Sequence, residues 1–167
     1  MMQTLACSLM AVPVGLLAYS YLGYPALLKL VSVWKPPLRL PGAPAVWPRI
    51  TITVPCYNEE RSIAATIESL LALDYPPDRL HLLIVSDAST DRTDDIVRTF
   101  ADRGVELVRL PVRGGKSAAE NAAGPHIRGE IVVNTDATIR ILPGSLQALV
   151  AVFQDPTIGV ASGRDVS

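Results

Sequence analysis

After residue 49 the apolar positions follow two alternating periods. Ile50–Val54 (ITITV), Leu82–Val85 (LLIV), Val105–Arg109 (VELVR) and Ile131–Thr135 (IVVNT) are short β-branched runs that read as strands. Between them apolar residues recur at helical spacing. Asn58 is placed to cap a helix opening at Glu59, with Ile63, Ile67, Leu70 and Leu71 on its buried face. A second helix is expected from about Asp91, burying Ile96, Val97 and Phe100 and stopping at Gly104. A third spans Lys116 to Ala123. Pro143 suits the first turn of a fourth, with Leu146, Leu149, Val150 and Phe153 inward. Ile158–Ala161 is expected to add a fifth strand. Strands alternating with helices predict an α/β fold, a mostly parallel sheet with helices on both faces.

The front of the chain has a different pattern. Residues 1–28 carry no Asp, Glu, Lys, Arg or His. About 20 apolar residues suffice to cross a bilayer, and Leu5–Leu28 is expected to be the core of one transmembrane helix within residues 1–33. A cleaved signal peptide would want a basic start and a shorter apolar stretch. Lys29, Lys35, Arg39 and Arg49 follow the span, and no acid precedes Glu59. Positive charge on that side predicts that the soluble part faces the cytoplasm; the chain, single-pass within these residues, is expected in the inner or plasma membrane. Residues 34–49 hold five prolines and read as an extended linker, with Trp34 and Lys35 at interfacial positions. Residues 50–167 form the soluble domain.

Composition narrows the chemistry. A net charge of −1 gives no support to nucleic acid as a partner. Cys7 and Cys56 are the only cysteines, no CxxC or His/Cys cluster exists, and a zinc site is not expected. Cys56 reads as a small residue in a tight turn, and His81 and His126 as surface or structural residues. No GxGxxG is present. RGGKS (Arg113–Ser117) resembles the end of a phosphate-binding loop, but position 110 is Leu where that motif needs Gly. Glycines before a helix start, with Lys116 beside them, still suit a weaker diphosphate contact.

Three strands end in acid-bearing turns: PCYNEE, SDASTD and NTDAT. Ligands of open α/β sheets bind just beyond the carboxyl ends of the strands. Tyr57 offers a face for a base, Glu59 an acceptor for base or sugar, and Asp87 an acceptor for a base N–H. Ser89, Thr90 and Asp91 read as helix-capping residues. Asp136, with a second oxygen ligand two residues on, suits Mg²⁺ or Mn²⁺ held against a diphosphate. Taken singly, PCYNEE is equally a capped turn with a solvated acid, and the alternative for TDAT is a polar turn.

Taken together and in this order, the segments resemble the donor-binding half of a family 2 glycosyltransferase with the GT-A, Rossmann-like fold. Its pattern is P-x-Y/F-N-E, then D-D-x-S-x-D, then a G-K loop with A-x-N, then D-x-D. The chain shows Pro55, Tyr57, Asn58 and Glu59; Asp87, Ser89 and Asp91; Gly115, Lys116 and Asn121; and Asp136. Ser86, Ala88 and Thr138 depart from it, and Thr138 leaves D-x-D with one carboxylate. The span with Tyr21, Gly23, Tyr24 and Pro25 is similar to membrane-bound polysaccharide synthases. The resemblance implies that Pro55, Tyr57, Glu59 and Asp87 surround the base and ribose of a nucleotide-sugar donor, expected to be UDP-linked. It places Lys116 near the nucleotide and makes Asp136 the ligand of a divalent cation, Mg or Mn. The acceptor would be a glycan or a lipid, and transfer would invert the sugar. The family's general base lies well beyond D-x-D, so no catalytic base is expected before Ser167, and these 167 residues are expected to be a carboxyl-truncated piece, inactive alone. A non-catalytic, membrane-anchored nucleotide-binding or partner-docking module is the alternative. A nucleotidyltransferase would need a glycine-rich loop after the first strand, which the chain lacks.

Overall fold

The structure, a computed structural model, describes residues 12–34, 41–142 and 144–163. The chain divides into two compact units, Met1–Arg39 and Leu40–Ser167.

In the first unit Val12–Trp34 is one helix, α1, long and apolar enough to cross a membrane. It ends at Trp34, one residue past the expected limit at residue 33, and continues beyond the expected core end at Leu28. Tyr19–Gly23 forms a π-helical turn, in which the Tyr24 amide reaches the Tyr19 carbonyl. The expected core start at Leu5 and the anchor Lys35 lie outside the described residues.

In the second unit four strands pair in parallel: β1 (Ile50–Cys56), β2 (Leu80–Ser86), β3 (Val105–Arg109) and β4 (Ile131–Asn134). Their order is β3-β2-β1-β4. The chain builds outward from β1 to β3, then returns to add β4 on the other side. The order therefore reverses between β1 and β4, the kind of switch point where ligands bind in such sheets. Pro55 lies beyond the last β1–β4 pair, Thr53 with Asn134, where a missing amide is tolerated.

Four helices cover the sheet: α2 (Ile63–Leu71), α3 (Thr93–Arg98), α4 (Lys116–Ala123) and α5 (Ser145–Ala151). The pleat sends Ile50, Ile52, Val54, Leu82, Ile84 and Val133 to one face, where they pack with Ile63, Ile67 and Leu70 of α2, Val97 of α3, and Leu146 and Val150 of α5. The other face buries Leu83 and Val85 against Ala119 and Ala123 of α4. Helices do lie on both faces, three against one. Trp47 packs edge-on to Tyr75, whose hydroxyl donates to the Pro48 carbonyl at 2.6 Å.

Several expectations need correction. The first helix starts at Ile63, not Glu59. Asn58 is left-handed (φ 55°) and sends its side chain to another loop, so it does not cap α2. Residues 158–161 are irregular rather than a fifth strand. The position of Pro143 lies outside the described residues, although α5 follows it as expected. Gly104, at φ 82°, does end the turn after α3.

At the amino-terminal edge of the sheet His81, His126 and Arg128 converge on the Glu106 carboxylate, at 3.2, 2.7 and 2.5 Å. Both histidines are thus structural. Burial works against the charged Glu106, but the hydrogen bonds from His126 and His81 overrule it and hold its carboxyl below the ordinary range. Burial is also the main cause that pushes His81 down, against the Glu106 hydrogen bond. A depressed carboxyl stabilises above its unfolded pKa and loses that as pH falls through its folded value. A depressed histidine likewise penalises the fold once the unfolded chain takes up a proton. Both act in one direction, so the urea midpoint should fall as pH drops below about 6.5 and fall further below about 4.5. Glu106→Gln should flatten the lower part of that curve, and an unchanged curve would refute the assignment.

Gly129 donates its amide to Thr51 Oγ1 at 2.8 Å. A Cβ there would lie 2.4 Å from the Thr51 nitrogen. Gly129→Ala should therefore displace the start of β4 and cost at least about 3 kcal/mol in urea unfolding.

Candidate functional site

The loops after the four strands all open at the carboxyl edge. Those after β1 and β2 are stitched together. The Asn58 amide donates to Ser89 Oγ at 3.1 Å, and Asn58 Oδ1 accepts the Thr90 amide at 2.8 Å. The Glu59 amide donates to Thr93 Oγ1 at 2.8 Å, and the Glu60 amide to Asp91 Oδ2 at 3.1 Å. Asp91 Oδ1 accepts both the amide and the hydroxyl of Thr93, at 2.9 and 2.6 Å. Burial opposes the charged Asp91, yet these hydrogen bonds hold its carboxyl below the ordinary range. Of the three residues expected to cap the second helix, only Asp91 bonds to its first turn. Ser89 and Thr90 reach the β1 loop instead, Ser89 accepting the Asn58 amide and Thr90 pairing with the Asn58 side chain.

Asp87 follows directly on β2 and is buried. Its Oδ1 accepts the Gly114 amide at 2.7 Å and its Oδ2 the Gly115 amide at 2.8 Å. Gly114 also packs tightly on α4, where a Cβ would lie 2.5 Å from the Ala118 Cβ. Gly115 turns into α4 with φ 82°, a conformation glycine adopts without strain. Two of the amides expected to face a phosphate therefore face Asp87.

The other expected site residues lie around this latch. Pro55 is half-buried at the end of β1. Tyr57 is half-buried, and the Arg113 guanidinium stacks on its ring with Cζ 3.9 Å from the centroid. Glu59 accepts the Ser62 hydroxyl at 2.5 Å, which ties its carboxylate to the turn before α2. Lys116, the first residue of α4, reaches Asp136 Oδ1 at 2.6 Å, joining the β3 and β4 loops across the switch point. That hydrogen bond raises the Lys116 pKa and keeps it charged. Arg113 has no role assigned by its sequence position alone. An aromatic in one loop and an arginine before the G-K pair of another were its only signal.

Two neighbouring groups are excluded as chemistry. Cys56 is buried, and burial followed by the charges of Asp94, Glu59, Asp91 and Asp87 pushes its thiol up to about 12. It is no nucleophile at neutral pH. Asp94 is buried against Arg109, whose guanidinium also donates to the Ser89 carbonyl at 3.0 Å. That pair braces the β2 loop from below.

A divalent cation shared with a diphosphate needs only one or two protein carboxylates. Asp136 supplies one, half-exposed at the switch point, and Thr138 is an exposed hydroxyl two residues on. No three His, Cys, Asp or Glu side chains converge among the described residues. The donor set fits a hard cation completed by phosphate oxygens, and not one caged by protein alone.

Known proteins share this fold. The chain is 35% identical over 143 residues to the beta-monoglucosyldiacylglycerol synthase of Synechocystis sp., covering 83% of this chain and 30% of that protein. It is 31% identical over 123 residues to an N-acetylglucosaminyltransferase of Mesorhizobium japonicum, covering 71% and 28%. The chain thus spans under a third of these relatives' lengths. The structure of the mannosyltransferase PcManGT from Pyrobaculum calidifontis, in complex with GDP-Man and Mn²⁺, superposes with a TM-score of 0.71 at 34% identity, over 95% of this chain and 46% of that one. TarS 1–349 of S. aureus, in complex with UDP-GlcNAc, gives 0.59 at 27% identity, over 71% and 37%. The fold is that of the GT-A enzymes, and residues 51–167 match the family described as Glycosyl transferase family 2, to which this chain belongs.

Proposed function

We propose that this chain carries the donor side of an inverting glycosyltransferase anchored by α1, which uses a nucleoside-diphosphate sugar, UDP-linked, and passes the sugar to a glycan or lipid acceptor. The observation that supports this reading is the 113–116 loop at the carboxyl edge, which meets Tyr57 through Arg113, Asp87 through the Gly114 and Gly115 amides, and Asp136 through Lys116. The diacylglycerol in the name of the Synechocystis relative supports a lipid acceptor, and the UDP-GlcNAc of the TarS complex supports the uridine donor.

In this reading Pro55, Tyr57, Glu59 and Asp87 surround the base and ribose. Lys116 and Asp136 meet the diphosphate, Lys116 directly and Asp136 as ligand of Mg²⁺ or Mn²⁺. The cation, when bound, offsets charge on the departing nucleoside diphosphate. As the bond from the anomeric carbon to the diphosphate oxygen breaks, the acceptor oxygen bonds the opposite face and its proton passes to a general base. We assign that base to no residue of this chain, which on this reading binds donor without turning it over. Lys29, near the end of α1, and Arg49, beyond it, support a cytoplasmic position for the Leu40–Ser167 unit.

Calorimetry on the full chain in detergent, with UDP and with GDP, tests the reading. One nucleotide should bind, and Mn²⁺ should tighten it by at least about tenfold, the effect of one charge-assisted contact of about 1.4 kcal/mol. Asp136→Ala should abolish the Mn²⁺ effect while sparing the Mn²⁺-free affinity. Binding of neither nucleotide, or an undiminished Mn²⁺ effect in the variant, would sink the assignment. A second expectation concerns the latch. Asp87→Asn turns one acceptor into a donor that faces an amide N–H, and should cost about 1–3 kcal/mol in urea unfolding as well as nucleotide affinity.

A further inference from the structure

Both cations of the Arg113–Lys116 loop rest on groups that the donor itself would claim. Arg113 lies on the Tyr57 ring, the face offered to a base, with Cζ 3.9 Å from the centroid. Lys116 lies on the Asp136 carboxylate, the ligand offered to a metal ion, at 2.6 Å. The loop between them is pinned by Asp87 through the Gly114 and Gly115 amides. Those two amides are therefore not available to a phosphate. An arriving diphosphate must be met largely by side chains, in an edge that already holds Glu59, Asp87, Asp91 and Asp136.

We propose that Arg113 is a diphosphate-binding residue of the donor site, parked on Tyr57 until the base displaces it. This rests on the donor-site reading above and adds to it a residue and an order of events. Arginine suits both positions, because its planar guanidinium stacks on aromatic faces and also grips phosphate oxygens through two parallel N–H bonds. The anchor does not need to move. Asp87 holds the backbone at Gly114 and Gly115, and Arg113, exposed, swings by its own rotamers. The base takes over the Tyr57 ring as the guanidinium leaves it. Lys116 is released in the same way when a metal ion takes Asp136. The site thus recognises base and diphosphate together: a nucleoside must displace the arginine without giving it a new partner, whereas a nucleoside diphosphate supplies one.

Ligand-observed NMR titration of the full chain in detergent, with Mg²⁺, against UDP, uridine, GDP and guanosine separates the outcomes. Arg113→Ala should weaken the nucleoside diphosphate that binds by about tenfold or more, and leave its nucleoside unchanged or bound more tightly. Arg113→Lys should fall between the two, since it keeps the charge and loses the fork. Unchanged circular dichroism confirms that the variants fold, and Arg113→Gln serves if the alanine variant does not. Equal weakening of nucleoside and diphosphate overturns the proposal in favour of a permanent base platform. No change in either overturns it in favour of a solvated side chain. Failure of wild-type protein to bind UDP or GDP is distinct from both, and removes the donor site itself.

Discussion

Asp87 is a buried carboxylate with each oxygen closed by a backbone amide, one from Gly114 and one from Gly115. Hydrogen bonds to a charged acceptor are shorter and stronger than neutral ones, and two on one rigid group fix a loop in direction as well as position. The loop so fixed carries Arg113 to the β1 loop and Lys116 to the β4 loop. The latch at the end of β2 therefore determines where the turns on both sides of the switch point meet. Without it the edge would be four separate turns, two of them stitched by Asn58, Thr90, Thr93 and Asp91.

Most of the sheet is legible in the chain because its strands are short β-branched runs bounded by polar turns. The β3 strand and the α4 helix have the expected ends, and Ile63, Ile67 and Leu70 do face the core. What was not legible depends on partners distant in sequence. Asn58 looks like a helix cap from its neighbours, but an amide and a hydroxyl 32 residues away compete for its side chain. Ile158–Ala161 has strand composition and no strand beside it to pair with among the described residues. Apolar alternation alone cannot report whether a ladder partner exists.

The site divides in the same way. Residue types at strand ends were enough to name Tyr57, Asp87, Lys116 and Asp136, because chemistry at that edge follows from topology. Their present partners were not deducible. A carboxylate closed by amides and a carboxylate open to solvent read identically in one dimension, and so do a bare tyrosine and one covered by arginine. Ala88 is a further case. It holds a left-handed conformation, φ 57°, that an alanine does not favour, and only the stitched loops around it explain why the turn stays closed.

Cys56 shows what the crowd of acids does besides attracting cations. Burial and four neighbouring carboxylates hold its thiol near 12, and thiolate is the form that oxidants and alkylating agents attack. The sequence places no other sulfhydryl in the Leu40–Ser167 unit. The carboxyl edge of the sheet therefore holds no reactive thiol. Peroxide or thiol reagents should pass over it, and a cysteine introduced on an exposed loop of this unit can be labelled without first removing the native one.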